Sequence, residues 1–275
     1  MEEGLERRNW RCNVTYQLHQ QDCLEWMQQQ PDALIDTILF SPPYNKKGLR
    51  GGVKTCENIW KGSNIDYATY DDNLTEAAYQ EWQIKIVNEC HRIIKPTGSI
   101  FYQHKIRNWD RKGSHPMEWL SKSCAQFYQE IVWHRKSTMA MDERYLFNTT
   151  ERIYWFCKAK PAVYKQQVDE AYRSDVWAIT PERQQGHPAP FPEQLVENCI
   201  LLTTQPGDLV YDPFAGSGTT LLVAERLGRN SAGTEIDSNY IAISQKRIAV
   251  CGQASNNFAN IFDTKYSIDR VMNAK

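Results

Sequence analysis

The stretch Asp212-Pro213-Phe214-Ala215-Gly216-Ser217-Gly218-Thr219-Thr220 constrains this chain more than any other segment. It follows D-L-V-Y-D, which reads as a strand, and opens T-L-L-V-A-E-R-L-G, which reads as a helix closed by Gly228. A glycine-rich turn between a strand and a helix begins a βαβ unit, and the helix N-terminus is where such a unit holds a ligand. Gly216 and Gly218 let the backbone approach that ligand with no Cβ in the way. A phosphate-binding loop would carry a lysine after its last glycine, and Thr219 stands there instead. The turn therefore suits a ligand that does not depend on phosphates, such as a zwitterion.

The rest of the chain alternates between strand and helix signals, the pattern of an α/β protein with a mainly parallel sheet and helices on both faces. V-T-Y-Q-L-H-Q-Q-D is expected as a strand, followed by a helix from Cys23 to Gln30 that Pro31 ends. I-D-T-I-L-F reads as a buried strand. Residues 45–73 are rich in Gly, Lys and Asn and read as a long loop, a functional insertion at this length. A helix with apolar positions at Trp82, Ile86, Val87, Cys90 and Ile93 should close at Lys95-Pro96-Thr97-Gly98, before the strand S-I-F-Y-Q. A helix over Met117–Gln126 and the strands E-I-V-W-H-R and R-I-Y-W-F-C-K come next. Residues 158–190 read as loop with short elements, P-E-Q-L-V-E-N-C-I-L-L-T-T as a helix, N-S-A-G-T-E-I as a strand, and the last helix as capped by Ser238. No repeat or linker divides residues 1–275, so a single domain is expected.

Two further strand ends carry chemistry. Glu235 ends the strand after the glycine-rich unit, where a carboxylate can accept both hydroxyls of a ribose. Ser41-Pro42-Pro43-Tyr44 follows I-D-T-I-L-F directly. Its prolines fix φ and remove backbone donors, leaving a rigid edge of acceptors beside an aromatic plate. Such an edge suits a flat ring that bears an amino group. Ligands of open α/β sheets sit at the carboxyl ends of the strands, so the three segments should meet in one crevice.

Composition narrows the class. Nine Trp, nine Phe and fourteen Tyr among 275 residues exclude a wholly disordered chain. Lys and Arg number 32 against 33 Asp and Glu, a net charge of -1 that argues against a polybasic binder. The eight cysteines form no C-x-x-C pair and no zinc spacing, so no metal is expected. The N-terminus lacks an apolar signal region and no stretch is long enough to span a membrane. The reading is a reduced, soluble, cytoplasmic protein.

Taken together, D-P-F-A-G-S-G-T-T and S-P-P-Y resemble the cofactor loop and catalytic motif of the amino-methylating DNA methyltransferases that use S-adenosylmethionine. The catalytic motif comes first, about 170 residues ahead, which is the circularly permuted order of that family's β group. R-I-I-K-P-T-G-S-I-F and H-P-A-P-F-P also resemble that group. The resemblance implies a Rossmann-like methyltransferase fold and a cofactor site. Asp212, Pro213, Phe214, Gly216, Ser217, Gly218, Thr219 and Thr220 would line the methionine side, with His187 to Pro192, Phe191 among them, closing over it. Glu235 would hold the ribose, and Asp22 and Cys23 the adenine, although Asp22 reads equally as a helix-start residue.

The resemblance also implies the reaction. An exocyclic amine is methylated directly once its protons are accepted, by the Ser41 hydroxyl oxygen and the Pro42 carbonyl, while Tyr44 stacks on a base flipped from the duplex. No Pro-Cys pair offers the thiolate that cytosine-C5 chemistry needs. Serine at the first motif position is typical of cytosine-N4 enzymes, and the alternatives are adenine N6, another methyl acceptor such as RNA or protein glutamine, or a catalytically silent DNA-binding subunit.

The expected partner is double-stranded DNA. Residues 101–165 hold twelve Lys and Arg against six acids, and Lys46, Lys47, Arg50 and Lys54 follow the catalytic motif. Lys46, Lys47, Arg50, Lys105, Arg107, Arg135 and Lys136 are the expected phosphate contacts. Residues 158–186 occupy the place of the group's target-recognition segment, in a short form. A homodimer, a companion restriction endonuclease and a prokaryotic or phage origin are further implications of the resemblance.

Overall fold

The computed structural model describes residues 15–45, 74–109, 112–136, 146, 149–182 and 191–249. In chain order they form β1 (Tyr16–Gln20), α1 (Cys23–Gln28), β2 (Ile35–Phe40), α2 (Glu76–Ile93), β3 (Ile94–His104), β4 (Arg107–Trp109) and β5 (Lys112–Ser114). Then come α3 (Met117–Leu120), β6 (Gln126–His134), β7 (Thr150–Cys157), β8 (Val176–Ala178), α4 (Glu193–Thr203), β9 (Leu209–Asp212), α5 (Thr219–Arg226) and β10 (Asn230–Glu235). A last helix, α6, occupies residues 238–249.

Eight strands make one sheet in the order β1-β10-β9-β2-β3-β7-β6-β8, and β4 pairs with β5 as a separate ribbon. Within the large sheet β7 alone runs antiparallel to its neighbours. From β9 the chain crosses over α5 to β10 on one side, and from β2 it crosses over α2 to β3 on the other. Because β9 and β2 are neighbours, the direction of winding reverses between them, and a crevice opens at their carboxyl ends.

The central strands are buried on both faces, which explains their near-continuous apolar sequence. Ile38 and Phe40 of β2, Ile100 and Tyr102 of β3, Tyr154 and Phe156 of β7 and Tyr211 of β9 face α1, α2 and α3. The alternating residues Leu39, Phe101, Ile153, Trp155 and Val210 face α4 and α5. A smaller cluster of Ala215, Leu221, Leu222 and Ile248 seats α6 against the glycine-rich unit.

Three local expectations need correction. Lys95–Gly98 is no turn between elements: β3 starts at Ile94, and these residues form an irregularity in its pairing with β2. Gly98 is required there, since a Cβ would stand 2.9 Å from the Asp36 carbonyl oxygen. The helix expected over Met117–Gln126 stops at Leu120. Ser123 donates from both its amide and its hydroxyl to the Leu120 carbonyl, which turns the chain into β6. The cap of α6 is Asp237, whose carboxylate accepts the Asn239 amide at 2.8 Å, and Ser238 lies within the helix. In the short segment 158–186, the described residues contain β8 and two 3-10 turns, Lys165–Gln167 and Glu170–Tyr172.

Candidate active site

The turn after β9 is held from inside. Asp212 accepts the Phe214 amide on one oxygen at 2.9 Å and the Thr220 hydroxyl on the other at 2.6 Å. It therefore closes the loop between strand end and helix start. Burial pushes this carboxyl up to about 7, opposed by those two hydrogen bonds and assisted by the charge of Glu235. Gly216 and Gly218 adopt φ of +49° and +78°, values that favour glycine. Gly218 has a second reason to be glycine, since a Cβ would lie 2.0 Å from Ser244 Oγ of α6. Arg247 of the same helix donates to the Ser217 carbonyl at 2.6 Å and reaches the Thr219 hydroxyl at 3.2 Å. Sequence reasoning found neither Ser244 nor Arg247, because both sit on an ordinary amphipathic helix.

Glu235 at the end of β10 closes over the same turn. One oxygen accepts the Gly216 amide and the other the Asp237 amide, each at 2.9 Å. Its burial raises the carboxyl, against the three backbone amides of Asp237, Gly216 and Ile236. At the end of β1, Asp22 caps α1, accepting the Leu24 and Glu25 amides on one oxygen at 2.8 and 3.2 Å. Cys23 is buried in the core beside it, and burial raises its thiol well above the usual range. Phe191 is half-buried against the α4 side of the core, while residues 183–190 lie outside the described residues.

The segment Ser41–Tyr44 leaves β2 next to this turn. Phe40 and Phe214 meet with ring centroids 5.8 Å apart, and Trp82 of α2 packs its edge on Phe214 at 5.8 Å. Ser41 Oγ and the Tyr44 hydroxyl are 2.7 Å apart, and Tyr44 donates to Gln103 Oε1 at 2.7 Å. Gln103 Nε2 donates to Glu151, whose other oxygen pairs with Arg135 at 2.8 Å. Gln103 is the last residue but one of β3 and Glu151 the second of β7, so the antiparallel strand brings a carboxylate to the same end of the sheet.

Below the motif, the Tyr79 hydroxyl shares its one proton between the Pro43 carbonyl at 3.0 Å and His104 Nε2 at 2.9 Å. His104 Nδ1 donates to the Lys105 carbonyl at 2.6 Å, so Nε2 is left to accept. Burial lowers His104 to about 3; the Lys105 carbonyl opposes this, and the Arg107 and Lys105 charges reinforce it. The imidazole is thus a neutral support, packed edge-on against Tyr44 with centroids 4.7 Å apart. Asn45, at φ +54°, donates to the Leu74 carbonyl at 2.8 Å and accepts its amide at 2.9 Å. That pair fixes the points where residues 46–73 leave and rejoin the described chain.

The expected phosphate contacts divide. Lys46, Lys47 and Arg50 lie outside the described residues. Lys136 is exposed, at φ +62°. The Lys105 ammonium sits 5.5 Å from the Tyr44 ring centroid, at the mouth of the site. Arg135 is paired to Glu151. Arg107 must be withdrawn from the set: it is 3% exposed, lies over Tyr79 and Trp119, and pairs with Glu76 at 2.5 Å. Lys158, counted in the basic segment, likewise spends its ammonium on the Arg92 and Ile94 carbonyls. Local charge in the sequence overstates what reaches the surface. Among the described residues no group of His, Cys, Asp and Glu could hold a metal ion, and no helix is long and apolar enough to cross a membrane.

A family model described as DNA methylase, covering the N6 and N4 amino methyltransferases, matches residues 35–246. The chain belongs to this DNA methylase family. The matched span starts at β2 and takes in both Ser41–Tyr44 and Asp212–Thr220. The methylase chain is 27% identical to the Type II methyltransferase M.BglII of Bacillus subtilis, over 87% of its own length and 71% of that protein. It is 28% identical to M.HinfI of Haemophilus influenzae, over 82% of its length and 66% of the relative. Among solved structures it resembles PvuII DNA methyltransferase (cytosine-N4-specific), with a TM-score of 0.69 and 22% identity, covering 85% of this chain and 87% of that one. It also resembles a DNA modification methylase of Thermus thermophilus complexed with S-adenosyl-L-methionine, with a TM-score of 0.62 and 22% identity over 86% and 96% of the two chains. These likenesses show the Rossmann-like methyltransferase fold that the motifs imply.

Proposed function

We propose that this methylase transfers the methyl group of S-adenosylmethionine to the exocyclic amine of a base flipped out of double-stranded DNA, at cytosine N4. The observation that carries the reading is the meeting of Ser41–Tyr44 with the glycine-rich turn through Phe40 and Phe214 at the winding reversal of the sheet. A methyl donor and a planar amine would there be neighbours.

The residues fit the cofactor. Both Glu235 oxygens accept backbone amides and the carboxylate keeps lone-pair capacity for a ribose hydroxyl. The left-handed turn at Gly216 and Gly218 sets the start of α5 where the amino-acid end would lie, with Ser244 filling the space beside Gly218. When bound, S-adenosylmethionine supplies an electrophilic methyl on sulfur. The protein's part is to position the amine and take its protons. Ser41 Oγ and the Pro42 carbonyl accept the two amine N–H bonds, which localises the nitrogen lone pair toward the methyl. Tyr44 supplies the stacking face, and its ring is braced by His104. Asp22 already caps α1 through one oxygen, which leaves the other for the adenine side. Lys136, exposed beyond the end of β6, is a described cation that suits phosphate, and Lys105 stands over the Tyr44 ring.

Serine at position 41 favours cytosine N4 over adenine N6. Tritiated-methyl transfer to duplex DNA, with RNA and protein as controls, followed by nucleoside chromatography of the product, tests the reading. The expected product is N4-methylcytosine. N6-methyladenine would overturn the base assignment, and label in RNA or protein alone would overturn DNA as the substrate.

A further inference from the structure

We propose that Glu151 sets the direction of a hydrogen-bond chain running from Ser41 through Tyr44 and Gln103, so that Ser41 faces the substrate amine as a pure acceptor. The inference rests on the function proposed above and concerns what prepares Ser41 for it. Glu151 touches neither substrate nor cofactor, so it is a positioning residue.

The order of protons follows from the donors available. Glu151 is ion-paired to Arg135, and a carboxylate so placed only accepts. Gln103 must therefore turn its amide nitrogen toward Glu151, and its carbonyl oxygen is left facing Tyr44. Tyr44 gives its one proton to that oxygen, so in its 2.7 Å contact with Ser41 the phenol oxygen accepts. Ser41 spends its proton on Tyr44, and both its lone pairs remain for the amine. Burial, and next the charge of Glu151, hold the Tyr44 phenol well above its ordinary range, so the relay keeps its proton through the pH range of activity. The opposite direction would place the Ser41 O–H against the amine nitrogen, where it would occupy the lone pair that must attack the methyl carbon. During transfer that lone pair forms the N–C bond, the C–S bonding pair returns to sulfur, and one amine proton leaves through the acceptors to solvent.

Glu151→Gln reverses the chain while keeping its shape. Arg135 would hold the carbonyl oxygen of the new amide, whose nitrogen would then face Gln103. Gln103 would have to offer its own oxygen in return, its nitrogen would donate to Tyr44, Tyr44 would donate to Ser41, and Ser41 would point its proton at the amine. The swapped pair Gln103→Glu with Glu151→Gln restores the original direction, because the carboxylate at 103 accepts from Tyr44.

The test measures kcat, cofactor affinity, DNA affinity and melting temperature for the full chain and these variants. Wild-type transfer to DNA is established first, and its absence would defeat the function proposed above and this inference with it. The expected result is a fall in kcat of about a hundredfold in E151Q, the lower end of the scale of lost proton acceptance, with both affinities unchanged and kcat recovered in the swapped pair. Gln103→Met, which cuts the chain at equal volume, should show the same fall and covers the case in which E151Q does not fold. Wild-type kcat in a folded E151Q, or a swapped pair as slow as E151Q alone, would overturn the proposal.

Discussion

Phe40 and Phe214 touch across the β2–β9 boundary, so the last residue of one strand is packed on the second residue of the turn that follows the other. Phe40 is fully buried, and Trp82 holds the other ring from α2. The two functional segments therefore share a packed joint.

Phe214→Ala should loosen that joint from both sides. Turnover should fall roughly 100-fold, the scale of a small misplacement of reacting groups, and cofactor affinity should weaken with it. Steady-state kinetics beside equilibrium cofactor binding would read both, and unchanged values would show that the segments are positioned separately.

Ser41→Ala and Tyr44→Ala should behave differently. Each removes a group on the base side and leaves the glycine-rich turn untouched, so kcat should fall by about a hundredfold or more at near-normal cofactor affinity. An equal loss of cofactor binding would contradict the division of the site.

Gly218→Ala meets both a left-handed backbone and Ser244. A loss of about 1–3 kcal/mol of stability is expected, with weaker cofactor binding because the start of α5 must shift. Adding Ser244→Gly should return part of the melting temperature but not the backbone strain.

Asp212 gives a pH dependence whose sign is fixed by its raised carboxyl, held at about 7 in the fold. Between its unfolded range and about 7 the folded state binds the extra proton, so stability falls as pH rises through that window and the cost is complete above it. The effect is on the order of a few kcal/mol at most. Asp212→Asn should raise the melting temperature at pH 8 more than at pH 5, and equal shifts at both would refute the assignment.

Arg107→Met should act on folding and Lys136→Ala on DNA. Removing the cation takes away the buried partner of the part-exposed Glu76, at a cost of about 1–3 kcal/mol, with no change in the salt dependence of DNA binding. Lys136→Ala should leave the melting temperature alone and reduce the slope of log affinity on log salt by about 0.9 if it meets one phosphate. Filter binding across a salt series separates the two.

The large elements were legible because their signals are local. The apolar runs of β2, β3, β7 and β9, and the glycine-rich turn itself, announce their structure within a few residues. What stayed hidden depends on partners far along the chain. Gln103 reads as a strand end and Glu151 as a compensating acid, yet β3–β7 pairing makes them one unit with Tyr44. Ser244 and Arg247 reach the glycine-rich turn across more than a helix length of sequence. Arg107 looked like surface charge because nothing nearby in sequence shows that Tyr79, Trp119 and Glu76 enclose it. The stopping point of α3 was equally invisible, since Ser123 competes for backbone only once Leu120 is in place.

The two hydrogen bonds between Asn45 and Leu74 tie the residue after the Ser41–Tyr44 motif to the residue that precedes the cap of α2. Whatever sequence lies between these residues begins and ends at the same two points. Insertions, deletions and replacements there would leave the register of Ser41–Tyr44 and the start of α2 where they are. The length of this stretch can therefore change without disturbing the motif it follows, whereas Lys46, Lys47 and Arg50, as expected phosphate contacts, are not free to be replaced.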